Sequence, residues 1–150
     1  MSEVTLQNIT VQELKVSMNL VNDRLHFIGK SRKNEPLSID YVPPQGDNLG
    51  YTSLELLLFS FASCVSSTVL PLLRKMQKTI NGFESTACGI RRETHPTSFE
   101  KINLELILKS PDTVEAEFEK LLKLAEEKYC PVWDMIKNNT EVSVDYKIIS

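Results

Sequence analysis

The sequence predicts one globular domain of mixed strands and helices in the order βββαββααβ. Three observations carry that prediction. The 150 residues are 41% hydrophobic and 25% charged, a composition that can close one core without a disulfide or metal staple. Apolar residues alternate with polar ones in a series of short stretches, the period of half-buried strands. One long segment, Leu56 to Leu73, carries no charge at all, so a helix built from it must be buried on nearly every side.

The elements follow in chain order. Leu14, Val16, Met18 and Leu20 alternate, Asn22-Asp23 offers a turn, and Leu25 and Phe27 resume the alternation, so a β-hairpin is expected. Leu37, Ile39 and Tyr41 suggest a third strand, ended by Pro43-Pro44-Gln45-Gly46-Asp47-Asn48. A long helix is then predicted from Thr52, where Thr52-Ser53-Leu54-Glu55 has capping-box spacing, to about Met76, with Pro71 as a point of kinking. Its uncharged run meets the ~18-residue threshold for a membrane span. However, Ser60, Ser63, Ser66, Ser67, Thr68 and Pro71 lie within it and strand-like segments flank it, which favours a buried core helix. One chain of this length can barely surround such a helix, so a second subunit is expected to cover part of it.

Beyond the Asn81-Gly82 turn, Phe83 to Arg92 has a weak strand pattern with Cys88 and Ile90 on one face. Ile102, Leu104, Leu106 and Leu108 mark a clear strand after Thr94-His95-Pro96-Thr97. Asp112 is the predicted cap of a second helix, with Glu115 as its box partner and Val114, Phe118, Leu121, Leu122 and Ala125 along one side. The Glu115 to Lys128 charges read as its solvated face. Pro131 ends that helix near Tyr129 and opens another, to about Asn138. Val142, Val144, Tyr146 and Ile148 form the last strand.

Composition and motif content narrow the chemistry. A formal net charge of −3 argues against binding to phosphate backbones. Phosphate loops, dinucleotide fingerprints, nucleophile elbows and paired CxxC motifs do not occur in the sequence. His26 and His95 lack metal-ligand spacing to a cysteine, so no metal is expected. An odd count of three cysteines, in a chain opening Met1-Ser2-Glu3-Val4 without a basic or apolar leader, suggests the reducing cytosol. Cys130 sits where the cap of the Pro131 helix should be. The helix dipole would lower its pKa there, although a buried apolar role is equally compatible. Cys64 lies mid-helix among small residues, where burial usually makes a thiol inert unless a cation is near. Cys88, beside Ile90, reads as structural.

Two stretches of the chain resemble the cysteine signatures of the OsmC/Ohr family, the osmotically inducible and organic-hydroperoxide-resistance proteins. They are Leu54-Glu55-Leu56-Leu57-Leu58 leading to Ala62-Ser63-Cys64, and Glu126-Glu127-Lys128-Tyr129-Cys130-Pro131-Val132. The resemblance implies an α+β fold, an intertwined cytoplasmic homodimer and a cofactor-free thiol peroxidase in oxidative-stress defence. Cys64 would attack an organic hydroperoxide, or less efficiently hydrogen peroxide, and Cys130 would capture the sulfenic acid as a disulfide. An external dithiol, lipoyl-type in the hydroperoxide-resistance branch, would reduce it. No nucleic acid or membrane partner is implied. The family supports its thiolate with an arginine, matched best by Arg24, with Arg91 and Arg92 as alternatives. It also uses a glutamate early in the long helix, where this chain has Leu54. Glu55, nine positions before Cys64, points about 180° away from it on an ideal helix. That replacement raises an alternative: a catalytically weak protein holding an apolar or electrophilic small molecule at the dimer interface.

Overall fold

Asn22 makes the first turn. In the computed structural model, which describes residues 12–150, its Oδ1 accepts the N–H groups of Arg24 (3.0 Å) and His26 (3.1 Å). This folds β1 (Ser17–Leu20) back onto β2 (Phe27–Lys30), with Leu20 opposite Phe27. The reading of Met1 to Val4 lies outside the described residues. β3 (Leu37–Ile39) pairs antiparallel with β2, giving the sheet order β1-β2-β3. Tyr41, expected in β3, falls beyond it. The chain bends at Asp40, a buried residue whose carboxylate accepts the N–H groups of Tyr41, Leu49 and Asp47. Burial alone would raise that carboxyl's pKa, but the three donors outweigh it and hold it below the usual range. Gly46 closes the loop against the Tyr41 carbonyl, where no Cβ would fit. These elements form one compact unit ending at Ser53; the second is Leu54–Ser150.

In the second unit, α1 (Ser53–Lys75) runs through Pro71 without a break. Phe61, Val65, Val69 and Leu73, spaced four apart, form its fully buried stripe. Two of its hydroxyls are absorbed by the helix itself: Ser66 donates to the Ala62 carbonyl (2.7 Å) and Thr68 to that of Cys64 (3.2 Å). α1 is long and apolar enough to cross a membrane by length and composition, and only 22% of its most apolar window is buried within the chain, so the expected burial on nearly every side is not reached by one chain alone. The helix ends in a Schellman motif, with Lys78 N–H on the Leu73 carbonyl (3.0 Å) and Gln77 N–H on that of Arg74 (2.9 Å). Gln77 occupies the left-handed position at φ 61°, which glycine adopts without a Cβ penalty. Gln77→Gly should therefore raise stability by up to about 1 kcal/mol, read as a shift of the urea midpoint.

The second sheet has the order β4-β5-β6. β4 (Gly82–Arg91) is antiparallel to β5 (Phe99–Lys109), and β6 (Glu141–Ile149) is parallel to β5. A parallel return needs a crossover, and the segment between β5 and β6 supplies it. This segment comprises α2 (Glu115–Leu124), a π-helical turn (Ala125–Tyr129) and α3 (Pro131–Ile136). Ile102, Leu104, Leu106 and Leu108 of β5 are buried with the α1 stripe and with Phe118, Leu121, Leu122 and Ala125. Among the described residues, six strands and three α-helices make an α+β fold.

Two sequence expectations need correction here. Asp112 does not cap α2, because its carboxylate accepts the Thr79 N–H and hydroxyl, both at 2.9 Å. The helix starts later, with exposed Val114 at the cap and Glu117, rather than Glu115, accepting the Val114 N–H at 3.1 Å. Cys88 and Ile90 do share a face, but it is the exposed one. The register places Ala87 and Gly89 opposite buried Leu104 and Ile102, so Cys88 faces outward across from Asn103. It therefore has no packing role in the core.

Candidate functional site

The crossover delivers Cys130 by an irregular step. Phe118, Leu121, Leu122 and Ala125 follow helical spacing into the core. The next inward position would be Tyr129, which is 48% exposed, whereas Cys130 is 2% exposed. The π turn produces this change: the Cys130 N–H reaches back five residues to the Ala125 carbonyl at 2.9 Å, inserting one extra residue into the turn. Cys130 then leaves helical geometry (φ −95°, ψ 101°), Pro131 occupies the first position of α3, and the Trp133 N–H donates to Cys130 Sγ at 3.4 Å. The expected cap is therefore present, with sulfur in the place of the usual oxygen.

Cys64, partly buried on α1, meets Cys130 there. Both thiols are free, and Cys64 is near enough to Cys130 to act on its ionisation. Burial, followed by the neighbouring Cys64, pushes the Cys130 thiol up to about 12, against the smaller opposing pull of the Trp133 N–H. The expectation of a lowered Cys130 pKa is thus overturned: desolvation of the charged form exceeds what one short helix can offer. The aromatic rings beside the two sulfurs also meet. Phe61, one turn before Cys64, packs edge-on against Trp133, one turn after Cys130, with centroids 5.5 Å apart and planes at 85°. Neither ring was singled out in the sequence, although each lies three positions from a cysteine.

The other expected residues are placed as follows. Arg24 belongs to the first unit, where it donates to Asp47 at 2.5 Å and to the Pro44 carbonyl. Arg91 donates to the carbonyl of Thr97 at 2.7 Å and also to its hydroxyl. Arg92 ties the Ser98 hydroxyl (2.7 Å) and the carbonyls of Phe99 and Asn139 (both 2.9 Å). Arg91 and Arg92 therefore hold the β4–β5 connection and its neighbours. Leu54 packs against the core, whereas exposed Glu55 lines a cleft of about 420 Å³ with Leu58, Phe59, Ala62, Ser63, Ser85 and Ala87. Cys64 is not part of that lining. His26 pairs with the Ser38 hydroxyl at 2.8 Å. Among the described residues, no group of three or more His, Cys, Asp or Glu side chains could hold a metal ion.

Comparison with known proteins bears on the family and the fold. Residues 46–145 match the family model for OsmC-like proteins. The chain is 26% identical to protein YhfA of Escherichia coli over 126 residues, covering 84% of this chain and 92% of that protein. Among solved structures, a hypothetical protein from Aquifex aeolicus superposes with a TM-score of 0.80 at 26% identity, over 92% of this chain and 97% of its own. An OsmC-like protein from Mycoplasma pneumoniae gives 0.79 at 18% identity (93% and 99% covered). The organic hydroperoxide resistance protein OhrB of Bacillus subtilis gives 0.61 at 20% identity (91% and 98% covered). The last two likenesses speak for the fold alone, and the family match extends over two thirds of the sequence: this chain belongs to the OsmC-like family.

Proposed function

We propose that the protein is a thiol peroxidase reducing organic hydroperoxides, and hydrogen peroxide less efficiently, in oxidative-stress defence. The observation that carries the reading is the proximity of Cys64 to Cys130: two free thiols near enough to influence each other's ionisation, brought together from α1 and from the crossover. Cys64, the more accessible of the two, attacks the peroxide as its thiolate. The O–O bond breaks, an alcohol leaves, and sulfur is oxidised to a sulfenic acid. Cys130, buried and held protonated, is spared from attacking the peroxide itself and is left to resolve the sulfenic acid. Its sulfur displaces the hydroxyl of the Cys64 sulfenic acid, an S–S bond forms, and the thiol proton leaves with that hydroxyl as water. An external dithiol, of lipoyl or similar chemistry, then reduces the disulfide by exchange. Arg24 remains the arginine proposed to support the Cys64 thiolate, on the resemblance alone.

The working unit in this reading is a cytoplasmic homodimer of single-domain chains. The apolar surface left on α1, including a Phe59 that is 56% exposed, supports a second copy as its cover. Reduced protein treated with one equivalent of an organic hydroperoxide, alkylated and digested, should yield a Cys64–Cys130 cross-linked peptide in the mass spectrum. Unchanged thiols under saturating hydroperoxide would sink the proposal.

A further inference from the structure

The two cysteines are flanked symmetrically. Each stands one turn from an aromatic ring, and the rings close on each other. Phe61 is fully buried and Trp133 is 5% exposed, and their edge-on contact joins α1 to α3 one turn from each cysteine. Trp133 is bound to the site a second time, because its backbone N–H donates to Cys130 Sγ. On its other side, Cys130 is tied only through the π turn, by the N–H bond to Ala125. A single-turn π-helix is a local departure from the regular ladder. The two neighbouring thiols must still close to an S–S bond of about 2.05 Å. Formation of that bond depends on the aim of Cys130, which the α3 side fixes through Trp133.

We infer that the Phe61–Trp133 ring pair is the positioning clamp of the resolving step, holding α3 against α1 so that Cys130 is aimed at the Cys64 sulfur. The inference rests on the peroxidase reading above and adds two positioning residues to it. Neither ring touches the peroxide. They act on the second step, in which the sulfenic S–O bond breaks, S–S forms and water leaves. Reactions between held groups depend steeply on alignment, so loosening the clamp slows disulfide closure and leaves attack on the peroxide unaffected. A sulfenic acid that outlives its partner's approach is oxidised further by a second peroxide to sulfinic acid.

The chain's single tryptophan is Trp133, so its fluorescence reports closure of the Cys64–Cys130 bond three residues away. Purified full-length protein is mixed with cumene hydroperoxide. Sulfenic acid is trapped with dimedone, and the disulfide and sulfinic acid are quantified by mass spectrometry in wild type, Phe61→Leu, Trp133→Leu and Trp133→Phe. Consumption of the first equivalent of hydroperoxide at the wild-type rate is expected in all four, with more dimedone adduct in Phe61→Leu and Trp133→Leu because their sulfenic acid lives longer. Disulfide closure should be about ten-fold slower or more in Phe61→Leu and Trp133→Leu, with sulfinic acid accumulating, and should largely recover in Trp133→Phe. In wild type a change in Trp133 fluorescence should track closure. Closure at the wild-type rate in folded Phe61→Leu would overturn the inference, as would equal slowing of both steps. If Trp133→Leu does not fold, as judged by circular dichroism, Phe61→Leu and Trp133→Phe decide the matter. Absence of the disulfide in wild type would instead overturn the peroxidase reading itself.

Discussion

Cys64→Ser is expected to abolish hydroperoxide consumption, with the rate falling at least about a thousand-fold to the level of the uncatalysed reaction. Removing the attacking sulfur leaves nothing on α1 that can accept oxygen. Cys130→Ser should behave differently. Its first equivalent of peroxide is still consumed, but the sulfenic acid then persists or advances to sulfinic acid, and turnover with a dithiol collapses. The contrast between one equivalent and none, measured by peroxide assay against enzyme concentration, orders the two roles. The reverse result, with Cys130 oxidised in the absence of Cys64, would exchange them. Cys88 provides the control: it lies on the exposed face of β4, across from Asn103, so Cys88→Ser should leave both steps unchanged.

The roles of the three thiols show where the sequence was legible and where it was not. Spacing located α1, because an uncharged run from Leu56 to Leu73 has few alternatives. The crossover helices were visible because Pro131 has only one comfortable place in a helix. β4 was harder: Ser85, Thr86, Ala87, Cys88 and Gly89 present small or polar residues to both faces, so parity alone could not choose the inner one. That choice is made by the pairing of Ala87 and Gly89 with Leu104 and Ile102, a tertiary fact. The start of α2 was misplaced for a similar reason. Asp112 is an apt cap in isolation, but Thr79, thirty-three positions away, takes its carboxylate. Cys130 combines both cases. Its place at the head of α3 could be read locally, whereas its proximity to Cys64 and its burial depend on the π turn, which no local pattern announced. The local rule therefore predicted the wrong direction of its pKa while correctly predicting its cap.

That direction has a large consequence for reactivity. A thiol pushed up to about 12 is ionised to about one part in ten thousand at pH 8, against roughly a quarter for an ordinary thiol near 8.5. Only the thiolate reacts with iodoacetamide, so Cys130 in the reduced native protein should alkylate about a thousand-fold more slowly than in the urea-unfolded chain. Peptide mapping of a timed alkylation series checks this, and equal rates in the two states would refute the burial of the thiol. The same shift links stability to pH. The folded state holds the Cys130 proton more tightly than the unfolded state does, so this contribution is complete below about pH 8.5 and is lost as pH rises toward 12. Tyr146, whose hydroxyl donates to Glu119 and which is also raised to about 12, adds a loss of the same sign, but only from about pH 10 upward. Between those two onsets the tyrosine contributes little. Over that interval, wild type should lose stability to urea with rising pH, while Cys130→Ala should lose measurably less, and parallel slopes for the two proteins would rule the linkage out.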